Sequence, residues 1–158
     1  MNAEFRIYLE TTIFNRYFEE GREYAAETKH LFAKILAGEI AAFTSAAVLE
    51  ELERAPDPKR SQMLGLISSH NITVWEVEQG AEDLADVYIE AGIIPPRFRT
   101  DGVHIAMAAI KDLDCIISLN FHHINKLKTK TATEVIHRLK GYGTPFICTP
   151  AEVIYDDK

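Results

Sequence analysis

Cys115-Ile116-Ile117-Ser118 is apolar at three consecutive positions before its first polar residue, and it runs on into Leu119-Asn120-Phe121. A strand with one wet face alternates apolar and polar residues, whereas an unbroken apolar run fits a strand covered on both faces. Phe5–Glu10 (FRIYLE), Ile40–Thr44 (IAAFT), Ile72–Trp75 (ITVW) and Phe146–Cys148 (FIC) read as strands too, and most share this character. Helical stretches separate them: Ala25–Ala37, Ala46–Arg54, Pro58–Ser68, Glu78–Ala91, Asp101–Lys111 and Thr131–Lys140. Within the fourth, Ala81, Leu84, Ala85, Tyr88 and Ile89 form one apolar stripe, and Gly92 followed by Pro95-Pro96 marks its stop. Strands alternating with helices predict parallel βαβ units, hence an α/β protein: a three-layer α/β/α sandwich around a central parallel β-sheet. With 158 residues and no repeat or linker, residues 1–158 read as one domain. Ligand sites in such sheets gather outside the carboxyl ends of the strands.

Composition narrows the class. Hydrophobic residues make up 47% and charged residues 26%, which is ordinary globular usage and rules out a disordered or collagenous chain. The start Met1-Asn2-Ala3-Glu4 has no signal pattern, and no apolar run approaches a membrane span. Cys115 and Cys148 stand in apolar stretches without a CxxC or Cys/His spacing. That excludes a disulfide framework and a thiolate zinc site, and the expected location is cytoplasmic. The net charge of −7 argues against a protein held on nucleic acid by bulk positive charge.

Acids and hydroxyls fall where the fold would place a site. The first strand closes on Glu10-Thr11-Thr12, which reads either as a solvated strand end whose threonines begin a helix or as oxygens projecting over the sheet edge. Ser45 is placed to cap the helix at Ala46–Arg54, whose apolar face centres on Val48, Leu49, Leu52 and Ala55. Glu51 lies roughly 100° from that centre and Glu50 roughly 160°, so Glu51 can lean inward while Glu50 points to water. Asp101, with Thr100 as its expected cap, opens an almost wholly apolar helix, where the helix dipole alone would favour an acid. Gly102 in that first turn implies a close approach by a neighbour. His104, one turn on, reads more readily as a bonded buried histidine than as a ligand. Ser118 and Asn120 follow the fourth strand as turn formers or as site groups. Hard oxygen donors without thiolates suit Mg²⁺ or Mn²⁺ rather than zinc. Clustered carboxylates are costly unless a cation neutralises them, and such an ion is the usual apparatus of phosphodiester hydrolysis.

Four segments together resemble the PIN-domain family, in particular the VapC-like ribonuclease toxins of type II toxin–antitoxin modules. They are Tyr8-Leu9-Glu10-Thr11-Thr12-Ile13-Phe14, Thr44-Ser45 through Glu51-Leu52, Asp101-Gly102-Val103-His104-Ile105-Ala106, and Ile117-Ser118-Leu119-Asn120-Phe121-His122-His123-Ile124. The tail Gly141-Tyr142-Gly143 through Glu152 is similar to a branch with an incomplete acidic quartet. The resemblance implies a Mg²⁺- or Mn²⁺-dependent endoribonuclease with Glu10, Glu51 and Asp101 as metal-binding acids. Thr11 would steady the first acid or a water, Ser118 would supply a hydroxyl, and Asn120 would fill the fourth acidic position. Two departures stand out: Glu10 replaces the family's Asp and adds a methylene of reach, and Asn120 offers a neutral carbonyl oxygen. The resemblance also implies a homodimer and a cognate antitoxin.

Between residues 121 and 140 five basic residues face one acid, a local +4 that leaves −11 for the rest. Lys126, Lys128 and Lys130 there, with Arg97 and Arg99 flanking Phe98, are candidate RNA contacts, or else a solvated face. The competing function is a catalytically weak or inactive PIN-like module that binds RNA or protein, which Asn120 favours. A haloacid-dehalogenase-type phosphatase needs an Asp-x-Asp nucleophile motif, and Glu10-Thr11-Thr12 does not supply it.

Overall fold

In the computed structural model, which describes residues 4–155, the apolar runs form the centre of one sheet. Strand β1 is Phe5–Leu9 and strand β4 is Cys115–Ile117. Ile7, Tyr8 and Leu9 are consecutive and fully buried, as are Ile116 and Ile117, so both faces of these strands are covered. Each large side chain so buried contributes about 1.5–3 kcal/mol relative to exposure, which makes these strands the anchor of the fold. Flanking them are β2 (Ile40–Ser45), β3 (Thr73–Trp75) and β5 (Phe146–Cys148). The order is β3-β2-β1-β4-β5, and every pairing is parallel.

The helices are α1 (Thr11–Tyr17), α2 (Ala25–Leu36), α3 (Ala46–Glu53), α4 (Lys59–Ser69), α5 (Gln79–Glu90), α6 (Arg99–Ile110), α7 (Leu127–Lys140) and α8 (Pro150–Ile154). The chain winds outward from β1 through β2 to β3, then returns to β4 on the other side of β1. That reversal puts the topological switch point between β1 and β4, where a crevice opens at the strand carboxyl ends. The α/β/α sandwich is as the sequence predicts. In α6 every residue from Gly102 to Ala109 is buried, so it is an internal helix packed against α5. A Cβ on Gly102 would stand 3.3 Å from Tyr88 and 3.4 Å from Ala85, the close approach its position implies.

Several local expectations need correction. Ser45 occupies the cap position of α3 but makes no capping bond, because its hydroxyl is bonded to Tyr8 instead. Helix α6 begins at Arg99 with Phe98 at the cap, so Thr100 is inside it. Helix α7 begins four residues before the expected Thr131, in a threonine-rich turn of weak helical propensity. There the Thr129 and Thr133 hydroxyls bond back to the carbonyls of His123 and Thr129. The threonines after Glu10 do begin a helix, the short α1, one of the two readings of that segment; α8 was not anticipated, although Thr149-Pro150-Ala151-Glu152 forms a capping box with proline at the first helical position.

Candidate active site

At the carboxyl end of β1, Glu10 is only 3% exposed. Its Oε1 accepts hydrogen bonds from the Thr12 and Ser118 hydroxyls, both at 2.6 Å. Thr12 also accepts the Leu119 backbone N–H at 2.8 Å, and Ser118 accepts that of Asn120 at 3.0 Å. The ends of β1 and β4 are thereby laced together across the switch point. Burial pushes the Glu10 carboxyl up, against the opposing charge of His104 and the two hydroxyl bonds.

Glu51 reaches the same edge from α3, half-buried, while Glu50 is exposed, as the helical geometry requires. Its Oε1 accepts from Thr11 Oγ1 at 2.6 Å and pairs with His104 Nε2 at 2.7 Å. Thr11 therefore serves Glu51, and the service expected of it toward Glu10 comes from Thr12. Helix α1 starts at Thr11, so adjacent threonines diverge by about 100° and meet different acids. His104 is fully buried, and its Nδ1 meets the Tyr8 hydroxyl at 2.8 Å, which meets Ser45 Oγ at 2.7 Å. A chain of contacts thus runs Ser45, Tyr8, His104, Glu51, Thr11. Burial raises the Glu51 carboxyl, but the bond and charge of His104 and the Thr11 bond outweigh it and hold it below its ordinary range. Burial lowers the His104 imidazole, but Glu51, then Glu10 and Asp101, carry it above its ordinary value. The acids around it thus favour the charged form of the imidazole.

Asp101, in the first turn of α6, pairs through Oδ2 with His123 Nδ1 at 3.0 Å. Burial raises its carboxyl, with His104, His123 and a hydrogen bond to Asn120 pulling the other way. Asn120 Oδ1 accepts the His123 backbone N–H at 3.0 Å, and its carbonyl accepts from Ile124 and Asn125, so it fastens the turn after β4 as well. Tyr8 and His123 join the site without having been expected there, and Thr12, one of the oxygens expected over the sheet edge, turns out to be the one that holds Glu10. Thr12 carried a usable signal, a hydroxyl two residues beyond an acid. Tyr8 and His123 carried none.

The basic residues separate. Arg97 lines the open cleft beside Asp101, its guanidinium 4.9 Å from the centre of the Phe98 ring. Arg99 turns to Asp86 (2.8 Å) and Glu82 (3.6 Å) at another surface. Lys130 lines a groove with His137 and Phe146, away from the acids. Lys128 reaches the Gly92 carbonyl at 3.4 Å, and half-buried Lys126 precedes α7.

Oxygen donors of this kind suit a hard divalent cation. In both glutamates the hydrogen bonds described fall on Oε1, so Oε2 keeps its acceptor capacity for such an ion. Among the described residues no three His, Cys, Asp or Glu side chains form a ready-made metal cage. Magnesium does not require one, since one or two carboxylates, waters and a substrate phosphate suffice.

No protein-family model matches the chain. No curated protein matches it either. Solved structures do. The Mycobacterium tuberculosis toxin VapC20, described as cleaving the sarcin–ricin loop, aligns at a TM-score of 0.56 and 16% identity, over 77% of this chain and 97% of its own. A chain of Rickettsia felis VapBC2, crystallised with a DNA fragment from its promoter, aligns at 0.56 and 12% identity, over 91% and 98% respectively. At these identities the likeness concerns architecture, and the chain has a VapC-like PIN fold.

Proposed function

We propose that the protein is a Mg²⁺- or Mn²⁺-dependent endoribonuclease, the toxin of a toxin–antitoxin module or a descendant of one. The observation that carries this reading is a hydrogen-bond network at the carboxyl ends of β1 and β4 that reaches all three acids: Ser118 holds Glu10, Thr11 and His104 hold Glu51, and His123 in the turn after β4 pairs with Asp101. The VapC-like fold supports it. These three residues would hold the ion. Bound there, it supplies an activated water and stabilises charge developing on the phosphate. The chain's own residues hold the acids in place: Thr12 and Ser118 fix Glu10, Thr11 and His104 fix Glu51, and His123 with Asn120 fixes Asp101. Preset carboxylates avoid reorganisation when the phosphate arrives. Arg97 stands on the cleft with no ion pair among the described residues, free to take a substrate phosphate.

The same reading carries a cytoplasmic location, a homodimer and a cognate antitoxin, the last in keeping with the VapBC2 likeness. No described helix is long and apolar enough to cross a membrane. The test is cleavage of RNA in Mn²⁺ by protein purified without a chelating tag. Wild type cleaves, and Asp101→Asn and Glu10→Gln lose about 100-fold or more. No cleavage by wild type, or equal cleavage by Asp101→Asn, overturns the reading. One observation favours a second reading, a module that binds RNA or protein without cutting. Asn120, where the resemblance expects a fourth acid, is neutral and shapes its own turn, and His104 bonds Glu51, so protein groups already hold part of the cluster.

A further inference from the structure

Beside Asp101 lies an open cleft of about 960 Å³ whose walls are aromatic and basic. On one wall the rings of Phe98 and His123 lie 4.1 Å apart at 31°, with Arg97 against Phe98. On the other, Phe121 leans on Tyr24 with centroids 6.2 Å apart, and Phe121 remains 46% exposed. Phe121 packs on Tyr24 and is outside the hydrophobic core, so much of its ring is open to the cleft. The cleft is tied to the site at two points: His123 bonds Asp101, and Phe121 directly follows Asn120. Arg97 and Arg22, the latter paired with Glu19, both line the cleft.

We propose that this cleft receives one unpaired base of a single-stranded RNA, stacked on Phe121, with Arg97 on a neighbouring phosphate. Rings beside cations are how proteins hold single strands, because every base presents a π-face. A duplex keeps its bases stacked on one another and cannot offer one to Phe121. With Asp101 on the same cleft, a base stacked on Phe121 brings a nearby phosphate of its strand toward Asp101. Phe121 and Arg97 are thereby positioning residues that set which phosphate meets the acids. This proposal rests on the reading of the acid cluster as an RNA-cleaving site.

The test separates the two. Binding of a short single-stranded RNA carrying 2-aminopurine is followed by anisotropy and fluorescence in EDTA at low salt, where metal-dependent cleavage cannot run. The expected result is quenched 2-aminopurine, about a fivefold or greater loss of affinity in Phe121→Ala, and recovery in Phe121→Trp. Tyr142→Ala, on another surface, binds as wild type does, and duplex RNA binds more weakly and ignores Phe121→Ala. Unchanged affinity in Phe121→Ala, equal binding of duplex, or no measurable binding by wild type overturns the proposal. Cleavage of the same RNA in Mn²⁺ is scored separately. A nuclease indifferent to Phe121 sinks the stacking cleft alone, and a Phe121-dependent binder that never cuts sinks the nuclease alone.

Discussion

Two histidines are buried among the described residues, and each meets a tyrosine hydroxyl. His104 joins Tyr8 at the carboxyl edge of the sheet, and His137 joins Tyr88 beneath α7. Their surroundings push them in opposite directions. His104 touches Glu51 and feels Glu10 and Asp101, so its charged form is favoured despite burial. His137 has no such carboxylate partner, and burial pushes it down to about 4. The difference teaches that burial alone makes a histidine neutral, and that the acids of the switch point make the exception. It also separates a region built to hold charge from one built to pack.

The largest effect expected from this contrast is on stability. His104→Phe removes one hydrogen bond each from Glu51 and the Tyr8 hydroxyl and takes the imidazole from beside a partly buried carboxylate, costing about 3–5 kcal/mol in urea unfolding, whereas His137→Phe costs about 1–2 kcal/mol. Equal costs would erase the distinction.

Next is pH. Unfolded, His137 titrates near its ordinary 6.5, and folded near about 4. Between these values the unfolded chain binds the extra proton, so stability falls as pH drops through that window and the effect is complete below it. The expected loss is on the order of 2 kcal/mol, discounted for the partly open groove that holds Lys130, Glu134, Arg138 and Glu152 nearby. His137→Phe should flatten this part of the profile. A wild-type profile as flat as the variant's would contradict the neutral assignment.

The tyrosines give the smallest and sharpest comparison. Tyr8→Phe removes two hydroxyl contacts, to Ser45 and His104, and costs about 2 kcal/mol by thermal unfolding. Tyr88→Phe removes one and costs about 1 kcal/mol. The reverse order would mean that the His104 chain is not held as described.

Much of this was legible in the chain. Consecutive apolar residues such as Ile7-Tyr8-Leu9 announced strands with two covered faces, and the acids at strand ends followed from the fold type. The turn from Glu50 to Glu51 was readable because helical period alone decides it. What stayed hidden depends on where elements begin. Arg97 and Arg99 looked equivalent, yet Arg97 sits in a short 3-10 turn (Pro96–Phe98) and Arg99 opens α6 beyond it, and only Arg97 lines the cleft. Thr11 and Thr12 parted for the same reason once α1 was seen to start between them and the strand. Tyr8 read as core because a buried strand tyrosine carries no mark of what its hydroxyl will meet. The pairing of His123 with Asp101, 22 residues away in sequence, depends on a turn that Asn120 itself shapes.

The central claim is that Glu10, Glu51 and Asp101 form a cation site for RNA cleavage, and manganese binding followed by calorimetry addresses it most directly. Wild type should bind Mn²⁺, Asp101→Asn should bind at least about tenfold more weakly, a change of roughly 1.4 kcal/mol, and Glu50→Gln should bind as wild type does. No binding by wild type, or the same affinity in Asp101→Asn, would contradict it.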